Sequence, residues 1–166
     1  HRTYLESRLL LDAVRDWNEI NPQRCYLWGF SFGGMCAARV VAAEPRYRAC
    51  VISVCGGDFQ DIFGDNQLSF PLSFAVRLLW RVFKPTVQPL DPVGVVAEIS
   101  PRPILFQSAL HDGVIPESAA LALQDAANEP KTIRWYDTNH SRKLNGYEVI
   151  VFEDGADWLK EQEALE

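Results

Sequence analysis

Basic residues are in short supply in this chain of 166 residues. Lysine and arginine together number 16 against 22 aspartates and glutamates, which gives a formal net charge of -6. They form no cluster larger than a pair. Because a protein that binds nucleic acid needs a basic surface to neutralise phosphates, this composition argues against a nucleic-acid partner. The sequence also lacks an apolar helix long enough to cross a bilayer, so we expect no stable membrane insertion.

Cysteine is scarce as well, and its spacing excludes the usual metal-binding motifs. The four cysteines are Cys25, Cys36, Cys50 and Cys55. All four fall in apolar segments, where cysteine usually acts as a small hydrophobic residue. A signal peptide has a basic start followed by an apolar run, and the start of this sequence shows no such pattern. The chain begins at His1 and not at methionine. We therefore expect a cytoplasmic location and no metal site.

The most informative stretch is the junction between two short apolar segments at residues 24–44. The run from Cys25 to Trp28 has the length of a buried strand, and the small residues from Gly34 to Ala43 are typical of a helix. The sequence Gly29-Phe30-Ser31-Phe32-Gly33 lies between them. This pattern predicts a sharp turn from strand to helix with Ser31 at its apex.

Such a turn has chemical consequences for its serine. The backbone of Ser31 is expected to be strained, and Gly29 and Gly33 are expected to leave room where the two arms of the turn meet. The turn aims the Ser31 hydroxyl away from the sheet. The amide of Phe32, at the start of a helix, then faces developing negative charge and is a predicted oxyanion donor.

The rest of the chain alternates between helical and strand patterns. Helices are predicted at residues 3–19, 34–43, 91–99, 117–128 and 147–165, and strands at 25–28, 49–55, 104–109 and 132–136. This order predicts an α/β fold, with a parallel sheet covered by helices on both faces. Residues 1–166 are interpreted as one domain, in which the phenylalanine-rich segment 58–90 is a possible lid or insertion, with an amphipathic helix near Phe70 to Lys84.

Serine needs a base that takes its proton and an acid that orients this base. Among the three histidines, His140 alone lies between the last predicted strand and the last predicted helix. Asp112 follows the third predicted strand and is the preferred acid. Asp58, which follows the second predicted strand, remains an alternative, and His111 is interpreted as an ordinary loop residue.

Together these features resemble the α/β-hydrolase superfamily, in which Gly-x-Ser-x-Gly forms the nucleophile elbow and the order along the chain is Ser, acid, His. The phrase from Ile99 to Pro103 is similar to the dienelactone-hydrolase and prolyl-oligopeptidase-like branches. The resemblance implies a serine esterase that cleaves small carboxylic acyl esters through an acyl-serine intermediate, with Ser31, His140 and Asp112 as catalytic residues. It implies neither a metal nor an organic cofactor. A peptidase catalytic half and a non-catalytic binding or assembly module remain alternatives.

The resemblance covers only the C-terminal half of the family's fold. Complete members have about eight strands, and the elbow follows the fifth, so we expect a truncated hydrolase of about four strands. The missing strands include the one that normally pairs with the elbow strand and supplies a second oxyanion donor. We therefore expect an exposed sheet edge from Arg24 to Trp28, covered by a second copy in a homodimer or by a missing N-terminal segment.

Overall fold

A computed structural model describes residues 2–63 and 81–164 of the chain. Four strands lie in one parallel sheet, and each pairs with its neighbours in chain order. The strands are β1 (Cys25–Phe30), β2 (Tyr47–Ser53), β3 (Ile104–His111) and β4 (Lys131–Asn139). The predicted α/β fold is confirmed, although β3 and β4 extend further than the sequence pattern indicated. These extensions bring the strand ends closer to Asp112 and His140.

Helices cover both faces of this sheet, as predicted. They are α1 (Arg2–Val14), α2 (Phe32–Ala43), α3 (Phe59–Phe63), α4 (residues 81–87), α5 (Glu117–Ala126) and α6 (Tyr147–Ala164). The helices α1, α2 and α5 contribute to the larger core, whereas α6 packs on the opposite face. Side chains of β2 alternate accordingly: Cys50 and Ile52 belong to the larger core, and Ala49 and Val51 face α6.

The buried face of α1 differs from the predicted one. In the helix predicted at residues 3–19, the spacing of Leu10, Ala13, Val14 and Trp17 predicts that these residues form the face that packs on the sheet. Leu10 and Trp17 are instead 59% and 58% exposed, and the helix ends at Val14. The side chain that packs is Leu11, which is 8% exposed. On the same side of the helix, the hydroxyl of Ser7 lies 2.5 Å from that of Tyr47. A pattern built on apolar residues alone missed a helix face that is partly polar.

The prediction of one continuous helix at residues 91–99 is also wrong. Two 3-10 turns, Pro92–Gly94 and Val96–Ile99, replace it. The Asp91 carboxylate accepts a hydrogen bond from Val93 N, as an N-cap should, and a second one from Phe59 N at 2.8 Å. Most of the predicted lid at 58–90, including Phe70, lies outside the described residues.

The edge of β1 opposite β2 has no strand partner within residues 2–63 and 81–164. The strand β1 is therefore an edge strand in this part of the chain, and its residues 25–28 are partly buried. Among the helices in these two ranges, none is both long enough and apolar enough to cross a membrane.

Candidate active site

Ser31 occupies a sharp turn between a strand and a helix. The strand β1 ends at Phe30, and α2 begins at Phe32. Ser31 has φ 51° and ψ -122°, in a region that residues with a Cβ rarely adopt. Its N–H donates to the carbonyl oxygen of Ser53 at 2.9 Å, and its own carbonyl accepts from Gly34 N at 2.8 Å. These hydrogen bonds hold the strained turn in place.

The two glycines of the motif are not equivalent. A Cβ on Gly29 would lie 2.6 Å from the carbonyl carbon of Gly33 and 2.7 Å from the nitrogen of Gly34, so the predicted close approach is present there. Apart from its chain neighbours and the backbone of its own helix, a Cβ on Gly33 would meet no atom of the described chain within 4 Å, so the expectation for this residue is wrong. The second tight position is Gly34, where a Cβ would lie 2.9 Å from Cβ of Cys55.

A continuous hydrogen-bond chain joins Ser31 to His140 and Asp112. The Nε2 atom of His140 lies 2.9 Å from Oγ of Ser31, and Nδ1 lies 2.8 Å from Oδ2 of Asp112. The side chains of His140 and Asp112 are 24% and 6% exposed. In the tautomer with a proton on Nδ1, an imidazole at this position donates to the carboxylate, and its Nε2 can accept a hydrogen bond from the serine hydroxyl.

Backbone amides fix the carboxylate of Asp112. Its Oδ1 atom accepts hydrogen bonds from the N–H groups of Val114 and Ile115, both at 2.8 Å. The alternative acid is oriented elsewhere, because the carboxylate of Asp58 accepts from the N–H of Gln60 at the start of α3. Of the two acids considered from the sequence, the structure therefore brings Asp112 to His140.

Of two neighbouring groups, His111 differs from expectation and Phe32 agrees with it. His111 was interpreted as a loop residue, yet it is the last residue of β3, and its Nε2 lies 2.8 Å from Oδ1 of Asp137 on β4. Phe32 is the first residue of α2, so its amide is at a helix N-terminus as predicted. Its side chain is 72% exposed beside Ser31.

Two of the thiols are buried in the core. Cys50 and Cys55 are 0% and 5% exposed. Burial raises the pKa of Cys55 to about 12 and that of Cys50 higher still, because an apolar environment disfavours the thiolate. Both groups remain protonated and unreactive at neutral pH.

The sequence analysis did not identify Arg142, which connects the loop after β4 to the end of β1. The guanidinium of Arg142, two residues after His140, lies 4.1 Å from the ring centre of Phe30 and 5.2 Å from that of Phe152. These cation–π contacts hold the loop after β4 against the last residue of β1. No periodic signal in the sequence marks Arg142, because its contacts come from distant segments.

Comparison with known proteins identifies the family. Residues 9–165 match the prolyl oligopeptidase family, Peptidase_S9. The chain belongs to this family. Over 127 residues it is 28% identical to the esterase YjfP of Escherichia coli (strain K12), in an alignment that covers 75% of this chain and 50% of that protein. The chain thus spans about half the length of this curated relative.

Solved structures show the same fold for this prolyl oligopeptidase family chain. The α/β hydrolase GrgF from Penicillium sp. sh18 superposes with a TM-score of 0.68 at 19% identity, over 98% of this chain and 73% of that one. An acetyl xylan esterase from Paenibacillus sp. R4 gives a TM-score of 0.71 at 20% identity, over 95% of this chain and 51% of that one. The expected α/β-hydrolase fold, present here in part, is confirmed.

Proposed function

We propose that this chain is a serine esterase that cleaves small carboxylic acyl esters. The observation that carries the proposal is the hydrogen-bond chain from Ser31 Oγ to His140 Nε2 and from His140 Nδ1 to Asp112. A serine alone is a weak nucleophile, whereas a serine in contact with an oriented base is activated. Membership of a hydrolase family supports the same conclusion.

In the proposed reaction, Ser31 Oγ attacks the carbonyl carbon of the ester while its proton moves to Nε2 of His140. The resulting oxyanion accepts a hydrogen bond from the amide of Phe32. His140 then gives the proton to the departing alkoxide, so an alcohol leaves and an acyl-serine remains. In the second half of the reaction, water attacks the acyl carbon and gives one proton to His140. The carboxylic acid then leaves, and Ser31 regains its proton from His140.

The proposed role of Asp112 is to hold His140 in one tautomer and to stabilise the imidazolium that forms. Hydrogen bonds from Val114 N and Ile115 N to Oδ1 fix the orientation of this carboxylate. The second oxyanion donor is proposed to come from a segment that pairs with the open edge of β1, or from a rearranged local loop. Loss of one such donor typically costs about 100 to 1,000-fold in turnover.

Covalent labelling tests the proposal directly. A fluorophosphonate is expected to modify the purified chain at Ser31, and the same chain is expected to hydrolyse p-nitrophenyl acetate. The Ser31→Ala variant should lose both properties while it unfolds at a similar denaturant concentration. Labelling that persists in Ser31→Ala would refute the catalytic assignment, and a folded wild-type chain that is not labelled would favour a binding or assembly module.

The second candidate function is that of a peptidase catalytic half, which the match to the Peptidase_S9 family favours. Esters and amides share the acyl-serine step, but an amide needs protonation of a poorer leaving group by His140. Turnover of peptidyl p-nitroanilides at a rate comparable to that of p-nitrophenyl esters would favour the peptidase. We propose the esterase first because the curated relative is an esterase.

We further propose a homodimer in which the β1 edges of two copies pair. The support is the position of β1 at the edge of the sheet in the described part of the chain, because folded proteins usually cover an apolar edge strand. We also propose a cytoplasmic location, where the four cysteines would remain as the free thiols observed here.

A further inference from the structure

Two polar side chains are buried in the strands directly beneath Ser31. Ser53 at the end of β2 is 0% exposed, and Gln107 on β3 is 1% exposed, and the two residues are opposite each other in the sheet. The Ser53 hydroxyl donates to Oε1 of Gln107 at 2.7 Å and accepts from Nε1 of Trp28 on β1 at 2.8 Å. Three adjacent strands are thus joined by side chains as well as by backbone.

The same hydrogen-bond chain continues to the far edge of the sheet. The Nε2 atom of Gln107 donates to the hydroxyl of Tyr136 on β4 at 3.0 Å and to the carbonyl of Val151 on α6 at 2.8 Å. The Tyr136 hydroxyl donates to the carboxylate of Asp154, which also accepts from Arg134. Every polar atom of the Gln107 side chain therefore has a partner, and satisfied networks of this kind make a core rigid.

The backbone carbonyls of two residues of this network also accept hydrogen bonds next to the site. The carbonyl of Ser53 accepts the hydrogen bond from Ser31 N, and the carbonyl of Gln107 accepts from Val54 N at 2.7 Å. Tyr136 lies four residues before His140 on the strand that leads to it. The elbow at the end of β1 and the strand that precedes His140 are therefore linked through Ser53 and Gln107.

We propose that Ser53 and Gln107 are positioning residues that fix the strand ends carrying Ser31 and His140 relative to each other. This inference rests on the proposed function, in which these two groups exchange a proton. Apolar packing resists separation of the strands but is not directional, whereas hydrogen bonds fix the register of each side chain. A displacement of about 1 Å between reacting groups can cost on the order of 100-fold in rate, so such fixation matters for catalysis.

The chain offers a matched control for this proposal. Ser108, the residue after Gln107, is 4% exposed and accepts a hydrogen bond from Nε2 of the buried Gln124 at 2.9 Å. Ser53→Ala and Ser108→Ala each remove one buried serine hydroxyl that is paired with a glutamine. Ser53→Ala leaves two buried partners unpaired, Trp28 Nε1 and Gln107 Oε1, and Ser108→Ala leaves one, so chemical denaturation should show a larger loss of stability for Ser53→Ala. Only Ser53→Ala loosens the residue whose carbonyl accepts from Ser31 N, although the carbonyl itself remains.

We expect Ser53→Ala to lower kcat for p-nitrophenyl acetate about tenfold or more, with KM changed by less than about twofold, and Ser108→Ala to keep the wild-type kcat. Trp28→Phe removes the donor to Ser53 and keeps an aromatic ring, so it should act in the same direction. This variant also serves where Ser53→Ala fails to fold. In the double variant of Ser53→Ala and Trp28→Phe, kcat should fall by less than the product of the two single fold-changes, because both substitutions act on one network.

Hydrogen exchange of the Ser31 amide, followed by NMR, tests the positioning without any activity. Exchange should be faster in Ser53→Ala than in the wild type and unchanged in Ser108→Ala, since the acceptor of this amide is the Ser53 carbonyl. Equal effects of the two variants on kcat and on exchange would overturn the proposal. A wild-type chain without esterase activity would instead refute the proposed function, and the exchange of the Ser31 amide would still decide the positioning role.

Discussion

The two glycines of the Gly-x-Ser-x-Gly motif should respond differently to the same substitution. In Gly29→Ala, the new Cβ would lie 2.6 Å from the carbonyl carbon of Gly33. Because carbon atoms in contact are normally about 3.5 to 4.0 Å apart, the two arms of the elbow must separate by roughly 1 Å. The colliding atoms belong to the backbone, so no side-chain rotation relieves the clash.

This separation displaces Ser31 relative to His140. A shift of that size predicts a loss of about 100-fold in kcat/KM for a p-nitrophenyl ester. The free energy of unfolding should fall by about 1 to 3 kcal/mol, as is usual when a packed position receives an additional methyl group. Ester hydrolysis and urea denaturation of the same preparation measure the two effects.

Gly33→Ala is the matched control, because a Cβ there meets nothing within 4 Å in the described part of the chain. Gly33 is the second residue of α2, where alanine is favoured over glycine by up to about 1 kcal/mol. We therefore expect unchanged or slightly higher stability and wild-type activity. Equal losses in the two variants, or full activity in Gly29→Ala, would refute the argument from backbone proximity.

Three further outcomes are expected. Asp112→Asn should lower ester turnover by about four powers of ten, and Asp58→Asn should leave it near the wild-type value; the reverse order would move the acid to Asp58. The contact with Arg46 holds the pKa of Glu44 below its usual value, so this pair stabilises the fold at neutral pH and the stabilisation is lost as the pH falls through that lowered pKa. Glu44→Gln should therefore lower Tm at pH 7, and this loss should become smaller as the pH falls into the acid range; a loss of the same size at every pH would contradict this. Light scattering at micromolar concentration should show a dimer that Tyr26→Pro weakens, whereas a stable and active monomer of 18.8 kDa would exclude pairing through β1.

The strand order and the approach of Ser31, Asp112 and His140 could be predicted because each depends on local signals. Short apolar runs alternate with helical segments, and parallel strands must place their carboxyl ends at one edge of the sheet. Three polar residues that each follow a different strand therefore meet at that edge. Their observed distances of 2.8 to 2.9 Å are the result of this topology.

Other features could not be predicted because they depend on contacts between distant segments. The buried face of α1 includes Ser7, whose hydroxyl contacts Tyr47, 40 residues further along the chain. The absence of a close neighbour at Gly33 depends on where β1 and α2 separate. Ser53 and Gln107 were visible as polar residues within apolar strands, but their partners on β1, β4 and α6 were not.

The position of the elbow determines which groups of the proposed site the described residues supply. Ser31 follows β1, Asp112 follows β3 and His140 follows β4, so the three groups of the proposed mechanism lie at the carboxyl end of the four-stranded sheet. The second oxyanion donor that the family resemblance implies would come from beyond the open edge of β1. Formation of a covalent adduct with a reactive fluorophosphonate depends mainly on the activated serine, whereas turnover of an ester also depends on stabilisation of the oxyanion. We therefore expect labelling of Ser31 to persist when no second chain covers the edge of β1. Ester turnover should rise when a second chain covers this edge.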